Sequence, residues 1–231
     1  RDLHSFPTRR SSDLIAIGED GTFYGWGSNR FGQYARTDSI LNNVNLIPIP
    51  QAVLNGDLDP AHIKKVTCGY QASAILMDDG TLYIWGNKQT YSNLDKFIGD
   101  SITDDNGKVV DYEPKENMVD IDFTLNYVVG LDYKQTSVFT GTRSLYNSVR
   151  SQYKVNSTQK MAEFLNGRKI NEIRATSTNV AILLDDGTIG FTGDFQYRIS
   201  DRTKANEYGI SAGLSLPKLI FVPYSFFKGS N

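Results

Sequence analysis

A segment that recurs along the chain is the sequence feature that most constrains its fold. Residues 15–27 read IAIGEDGTFYGWG and residues 74–86 read AILMDDGTLYIWG, so both tryptophans of the chain fall at one repeat position. Residues 181–193 read AILLDDGTIGFTG, and residues 129–141 form a weaker copy that lacks the acidic-Gly pair. Recurrence at such a period is typical of solenoids and propellers, in which each unit packs against its neighbours. The closing glycines lie 59, 55 and 52 residues apart: Gly27, Gly86, Gly141 and Gly193.

Each copy has the pattern of a β-hairpin, and three copies carry an acidic-Gly pair between two apolar strands. A two-residue type I′ turn needs φ > 0 at both central positions, which Asp tolerates and Gly adopts at little cost. We therefore predict type I′ turns at Asp20-Gly21, Asp79-Gly80 and Asp186-Gly187.

The strands of these hairpins are apolar on both faces. In the second copy, Leu82 and Ile84 point to one side of a strand while Tyr83 and Trp85 point to the other. A strand without a polar face must lie between two layers, as in a blade packed between neighbouring blades.

The period leaves room for two further strands beside each hairpin. Inner strands are predicted before three of the hairpins, at Ile63–Cys68, Met118–Phe123 and Ile170–Ala175. Outer strands are predicted at Leu46–Val53 and Leu216–Val222. Four antiparallel strands make one propeller blade. The sequence thus predicts an all-β protein built from about four such units.

Composition agrees with a globular β protein and argues against several functional classes. The 13 Tyr and 12 Phe favour strands, and 39% apolar with 22% charged residues is ordinary for a chain that folds. A net charge of −2 gives no global attraction to nucleic acid, and no apolar run is long enough to span a membrane. Cys68 is the single cysteine, so no internal disulfide is expected and the localisation stays open.

Two segments have a local charge bias. Arg143–Arg174 holds seven basic and two acidic residues, and Asp95–Asp122 holds nine acidic and three basic residues. We interpret both as solvated outer loops, with a polarised surface that meets a charged partner as the alternative.

The first residues share nothing with the repeats. Residues 1–14, RDLHSFPTRRSSDL, have neither a strand nor a helix period and resemble the translation of a sequencing adaptor. We exclude these residues from the fold prediction, as one would an expression scar. His4 lies among them and is therefore not considered as a candidate catalytic residue. The repeat array is then expected to occupy residues 15–231.

With the hairpin, the Trp-Gly ending and the period, the chain resembles the regulator of chromosome condensation repeat family. Members typically carry an aromatic-Trp-Gly close and a Gly-Gln-Leu-Gly loop. The first unit matches best, with Trp26-Gly27 followed by the segment GQYA at residues 32–35, and the second has Trp85-Gly86. The resemblance covers roughly residues 15–227 and implies blades of a seven-bladed β-propeller.

The departures from the family pattern limit what the resemblance implies. The His that precedes the first hairpin strand in the family is replaced by Ala72, Tyr127 and Asn179, and the Gly-Gln loop is lost after the first unit. About four units fall short of seven, which predicts an incomplete ring, with a closed four-bladed ring as the alternative.

No motif predicts catalysis, a cofactor or a metal. His62 is the one histidine beyond the leader, and no nucleophile elbow, phosphate loop or zinc spacing occurs. Residues 102–113 approach the calcium-loop pattern but place Ile102 where the first Asp ligand belongs, so Asp105-Asn106-Gly107 is interpreted as a hairpin tip. The predicted site positions are structural: Asp20, Gly21, Trp26, Gly27, Asp79, Gly80, Trp85, Gly86, Gly141, Asp186, Gly187 and Gly193.

The expected function is a non-catalytic scaffold for a protein partner, presented on the loops of the propeller. One alternative is a cell-surface or phage-particle module that recognises carbohydrate or a receptor. A second is a nucleotide exchange factor for a small GTPase, the best-known family activity, which no residue of this chain specifically carries.

Overall fold

The computed structural model describes residues 14–133, apart from 19, 38–39, 41–44, 92 and 126, together with residues 165–176, 179–194 and 215–223. These residues form antiparallel sheets, which confirms the all-β prediction. One short α-helix, α1, spans Gln51–Asn55, and 3₁₀ turns span Pro60–His62 and Leu94–Phe97. The strands are β1 Leu14–Ile17, β2 Phe23–Trp26, β3 Leu46–Ile47, β4 Ile63–Cys68, β5 Ala72–Met77, β6 Leu82–Asn87, β7 Ser101–Thr103, β8 Val109–Tyr112, β9 Met118–Phe123, β10 Val128–Asp132, β11 Ile170–Ala175, β12 Asn179–Leu184, β13 Thr188–Asp194 and β14 Ser215–Pro223.

The sheets follow the repeat. Unit 1 contains the β1–β2 hairpin, unit 2 a sheet in the order β3-β6-β5-β4, unit 3 the β9–β10 pair, and unit 4 a sheet in the order β11-β12-β13-β14. The three inner strands β4, β9 and β11 have the predicted bounds. Units 2 and 4 are therefore four-stranded blades, and a hairpin of β7 and β8 is inserted between units 2 and 3.

A shared irregularity shows that the inner strands are equivalent. In each inner strand the pairing register shifts after the first residue, so one extra residue is accommodated: Lys64, Val119 or Asn171. A β-bulge of this kind bends a strand and redirects its side chains. The side chains that follow the bulge therefore occupy matching positions in units 2, 3 and 4.

The outer strands differ from the prediction in one unit. The expected strand at Leu46–Val53 is wrong beyond Ile47, because α1 begins at Gln51. Pro48 and Pro50 have no backbone N–H to donate to a ladder, and Pro50 is the residue that caps α1. In unit 4 the outer strand is β14, which includes the predicted Leu216–Val222.

The predicted turn type is also wrong. Only the glycines of the acidic-Gly pairs have positive φ, with 81° at Gly21, 88° at Gly80 and 80° at Gly187. In unit 2 the amide of Gly80 donates to the Met77 carbonyl at 3.2 Å, and that of Met77 to the Thr81 carbonyl at 2.8 Å. This three-residue loop is a turn followed by a left-handed glycine, and the Asp side chain explains why it forms.

Each Asp of these pairs binds the backbone two residues later. The Oδ1 atom of Asp20 accepts from the Thr22 amide at 3.0 Å, and that of Asp79 from the Thr81 amide at 2.8 Å. In unit 4, Asp186 Oδ1 accepts from the Thr188 amide, also at 2.8 Å. This local bond keeps the Asp at negative φ, and only Gly has to adopt the left-handed conformation.

The apolar core lies between units. One cluster joins residues of units 1, 2 and 3, and a second joins units 3 and 4. Strand β10 serves both, since Val128 packs in the first cluster while Val129 and Leu131 pack in the second. The strand is thus covered on both faces, as expected for a blade between blades.

Three predictions fall partly or wholly outside the described residues. Residues 1–13, the end of the third hairpin including Gly141, and residues 143–164 of the basic segment Arg143–Arg174 are not among them. In the described part of the chain, no helix has the length and apolarity that a membrane span requires.

Candidate functional site

Trp85 shows how one unit covers the next. Its indole Nε1 donates to the backbone carbonyl of Gly32 in unit 1 at 2.7 Å, and Ser73 Oγ donates to the carbonyl of Gln33 at 2.6 Å. Trp85 and Ser73 are both fully buried. The loop that comes after the unit 1 hairpin therefore seals the hairpin of unit 2.

Two buried side chains hold this loop in shape. Asn29 Nδ2 donates to the Arg36 carbonyl at 2.8 Å, and Asn29 Oδ1 accepts from the Tyr34 amide at 3.3 Å. Gln33 Oε1 accepts from the Phe31 amide at 2.9 Å. The Gly32-Gln33 segment was assigned no structural role from the sequence and was cited only for its resemblance to the family. In the structure its backbone carbonyls face the neighbouring unit.

The same direction of coverage recurs between units 2 and 3. Asn93, in the loop after the unit 2 hairpin, donates from Nδ2 to the Val128 carbonyl at 2.8 Å and accepts the Val128 amide on Oδ1 at 3.1 Å. The Tyr91 hydroxyl accepts from the Tyr70 amide at 2.6 Å and reaches the Thr124 carbonyl at 3.4 Å. Each of these two loops covers the following unit.

A second set of contacts links the inner strands through Asp120. Its Oδ1 lies 2.8 Å from Lys65 Nζ in unit 2, and its Oδ2 accepts from the Ile173 amide in unit 4 at 2.6 Å. A buried carboxylate that accepts charge-assisted and backbone hydrogen bonds is satisfied. Asp120 therefore connects three units.

Asp122, two residues further on, makes the same kind of connection. Its Oδ1 accepts from Thr67 Oγ1 at 2.8 Å, and its Oδ2 accepts from the Ala175 amide at 2.7 Å. The interpretation of Asp95–Asp122 as a solvated loop is wrong for Asp120, Asp122 and Asp111, which are all buried. Acidic residues at alternate positions of an inner strand were the signal that could have revealed these links.

A cavity of about 280 Å³ opens beside these links. The charged side chains that line it form ion pairs with one another: Lys65 with Asp120, and Arg174 with Glu172. Lys64 Nζ donates to the Val119 carbonyl at 2.7 Å. Because acidic and basic groups alternate along this wall, the cavity shows no single charge that would define a ligand.

The remaining polar groups of the described residues include one exposed His–Asp pair. The exposed His62 Nδ1 lies 2.8 Å from Asp78 Oδ2, and this hydrogen bond, with the charges of Asp78 and Asp59, raises the pKa of His62. Within the described ranges no group of three His, Cys, Asp or Glu side chains is arranged to hold a metal. Cys68 is buried among apolar residues.

The predicted repeat positions that the structure describes lie at the turns and near the hairpin ends. Hydrogen bonds from the Thr amides lower the pKa of the turn aspartates of units 1, 2 and 4. Gly27 and Gly86 come after the tryptophans with φ of 104° and 127°, and Gly193 pairs with Asn179. A Cβ on Gly86 would lie 2.4 Å from the Gln71 carbonyl oxygen, so this close approach requires glycine.

The two tryptophans differ in exposure. Both lie in the second strand of a hairpin and precede a glycine, but Trp85 is 0% exposed and Trp26 is 54% exposed. Tyr24 is exposed beside Trp26, and the two rings stack with centroids 6.5 Å apart. A second exposed apolar group, Ile102, Val109 and Val110, lies on the β7–β8 hairpin.

Comparison with known proteins agrees with the repeat. Two family models of the regulator of chromosome condensation (RCC1) repeat match residues 20–76 and 63–91. The Rho GTPase-activating protein gacGG of Dictyostelium discoideum is 36% identical over 72 residues, 31% of this chain and 6% of that protein. The activity in its name is therefore not carried over to this chain.

Two solved structures align with this chain at low identity. The human WBSCR16 crystal structure aligns with a TM-score of 0.47 and 13% identity over 84% of this chain. Yeast RCC1 (Prp20), crystallised with Kap60, aligns with a TM-score of 0.47 and 14% identity over 92%. This chain spans 49% and 48% of those chains. Residues 20–91 therefore match the regulator of chromosome condensation repeat, and the hairpins and four-stranded blades described above agree with an incomplete all-β propeller.

Proposed function

We propose that this chain is a non-catalytic scaffold that binds a protein partner through the β7–β8 hairpin. The observation that carries the proposal is the exposure of three aliphatic side chains on one inserted hairpin, Ile102, Val109 and Val110, each 39% exposed. Exposed aliphatic residues grouped on a loop of a rigid framework are typical of protein-binding surfaces.

The base of the hairpin is fixed to the blades. Asp111 Oδ2 accepts from the Gln51 amide at 2.8 Å, which ties the hairpin to α1. The Gly99 amide donates to the Glu113 carbonyl, and the Glu113 amide to the Asp100 carbonyl, both at 2.8 Å. The hairpin is thus held before a partner arrives, which limits the ordering cost of binding.

The tip of the hairpin is closed by the side chain of Asp104. Asp104 Oδ1 accepts from the amides of Asn106 and Lys108, both at 2.9 Å, and Gly107 adopts a φ of 76°. This is the hairpin tip that the sequence predicted. Acidic side chains outnumber basic ones around the aliphatic group, so the complementary partner surface is apolar with a basic rim.

The test is site-specific photo-crosslinking in the source cells. A benzophenone side chain at Val110 is expected to give a discrete protein adduct, and the same group at Gln89, which lies outside the hairpin, is expected not to give it. Replacing Ile102 and Val109 by Glu should remove the Val110 adduct, because burying two unpaired charges is costly. An adduct that forms equally at Gln89, or survives both charges, contradicts the proposal.

The exchange-factor alternative has a separate test. Release of a fluorescent GDP analogue from small GTPases of the source organism is expected to stay at the uncatalysed rate when the chain is added. Acceleration that depends on chain concentration would instead favour the exchange function.

A further inference from the structure

The β7–β8 hairpin has one open strand edge. Within the described residues β7 pairs with β8 alone, and no other strand lies along its second edge. All three residues of β7, Ser101–Thr103, are exposed. An exposed and regular edge presents backbone N–H and C=O groups to which a further strand can bind.

The backbone groups of Ser101 and Thr103 point away from β8. Asp100, just before β7, accepts at its carbonyl an amide from the chain next to it at 2.8 Å, and Asp104, just after β7, donates its amide to that chain at 2.9 Å. Successive residues of a strand direct their peptide groups to opposite edges. Ser101 and Thr103 alternate with these two residues and therefore direct theirs to the open edge.

The outer edge of β8 is less suited to another strand. Its register against β7 shifts between Ile102 and Thr103, which leaves Val110 as the extra residue of a bulge. The Tyr112 amide is also occupied, because it donates to Asp111 Oδ1 at 2.7 Å. Bulges bend an edge and disfavour pairing with another chain, so β7 is the edge to which a strand can add.

The side chains along β7 specify the chemistry of such a strand. Ile102 is 39% exposed, and an apolar side chain of an adjacent strand can cover it. Residues 99–105 read GDSITDD, with three Asp and no basic residue. Basic side chains on the added strand complement these carboxylates, whereas a second copy of β7 would bring like charges together.

We propose that the partner binds through an extended segment of alternating apolar and basic residues, which adds as a third strand to the open edge of β7. Backbone hydrogen bonds to Ser101 and Thr103 provide the affinity, and Ile102 and the flanking aspartates select the segment. This inference rests on the proposed function, since it specifies the kind of partner that the hairpin binds.

Titration of the ¹⁵N-labelled chain with the end-blocked synthetic peptide KVKVKVK tests the inference. At about ten times the dissociation constant of the peptide, amide exchange at Ser101 and Thr103 should slow about tenfold, because bound chains protect these amides. The peptide EVEVEVE has the same alternation with the opposite charge and should give no protection.

Two substitutions at Thr103 isolate the backbone contact. Thr103→Pro removes the N–H at the open edge and spares the bonds to β8, so it should weaken peptide binding about tenfold. Thr103→Ala keeps this N–H and should bind like the original chain. The Asp104 amide, which donates within the hairpin, reports by its exchange whether the hairpin is folded in each variant. If Thr103→Pro opens the hairpin, protection of Ser101 and Thr103 in the original chain decides.

The inference is overturned if KVKVKVK leaves the Ser101 and Thr103 amides unprotected, or if a folded Thr103→Pro binds the peptide as Thr103→Ala does. Protection that rises with the concentration of the chain alone would identify a second copy as the occupant and overturns it as well. In the source cells, Thr103→Pro should abolish the Val110 adduct and Thr103→Ala should retain it. An adduct that survives Thr103→Pro overturns strand addition alone, whereas no adduct in the original chain contradicts the proposed function itself.

Discussion

Replacement of Asp122 by Ala is expected to destabilise the protein strongly, because this side chain links three units. It leaves two buried donors of neighbouring units without an acceptor, the Thr67 hydroxyl and the Ala175 amide. A buried donor left unsatisfied costs about 1–3 kcal/mol. Since the Thr67 hydroxyl can rotate to another acceptor, we expect the free energy of unfolding to fall by about 2–5 kcal/mol.

Equilibrium urea unfolding, followed by tryptophan fluorescence, measures this loss. With a denaturant slope of about 2–3 kcal/mol/M, the unfolding midpoint should fall by about 1–2 M. The matched control is Asp105→Ala, an exposed residue of the hairpin tip, which should change stability by less than about 0.5 kcal/mol.

A double-mutant cycle separates the link from other effects of the change. Thr67→Val and Asp122→Ala should be coupled by about 0.5–3 kcal/mol, since they share one hydrogen bond. If Asp122→Ala is as mild as Asp105→Ala, or if the cycle shows no coupling, the inner-strand link does not stabilise the array and the reasoning is refuted.

Three single-site changes probe other parts of the structure. Gly86→Ala should destabilise by more than about 1 kcal/mol in the same urea assay, because its Cβ would strike backbone, whereas Gly56→Ala, also at positive φ but with open space around it, should cost about 1 kcal/mol or less. The pKa of Asp79 is lowered by the Thr81 amide, so the ionised carboxylate stabilises the fold above the ordinary pKa of 3.8, and this stabilisation is lost as pH falls through the folded pKa. Asp79→Asn should therefore flatten the acid limb of a stability–pH curve. The pKa of His62 is raised by Asp78, so the stabilisation from this pair is complete below the ordinary pKa of 6.5 and is lost as pH rises through the folded pKa. His62→Gln should remove this loss of stability at higher pH. An unchanged stability–pH curve would contradict the pairing.

The inner strands and hairpins were predictable because they depend on local pattern. Alternating or continuous apolar residues fixed the bounds of β4, β9 and β11, and the acidic-Gly pairs marked the turns. The predicted turn type is wrong because the Asp carboxylate accepts a hydrogen bond from the backbone amide two residues later, and the type I′ rule takes no account of this bond. The predicted outer strand at Leu46 extends past the observed one because Pro48 and Pro50 cannot donate a backbone hydrogen bond to the ladder, although the apolar run around them is typical of a strand.

The contacts between units could not be predicted, because their partners are distant in sequence. Asp122 and Ala175 are separated by 53 residues, and Trp85 and Gly32 also by 53. A single sequence shows which residues recur but not which backbone carbonyl each one meets. The exposure of Trp26 belongs to the same class, since the repeat makes its position equivalent to that of Trp85 although the two side chains differ in exposure.

Indole hydrogen exchange tests most directly the central claim that the loops of units 1 and 2 each seal the following unit. In ¹H–¹⁵N spectra the Trp85 indole should exchange slowly and the Trp26 indole rapidly, because one donates to the Gly32 carbonyl and the other is exposed. Asn29→Ala in unit 1 should then accelerate exchange at Trp85 in unit 2 and leave Trp26 unchanged. Equal exchange at both indoles, or a Trp85 rate that Asn29→Ala does not alter, would contradict the account.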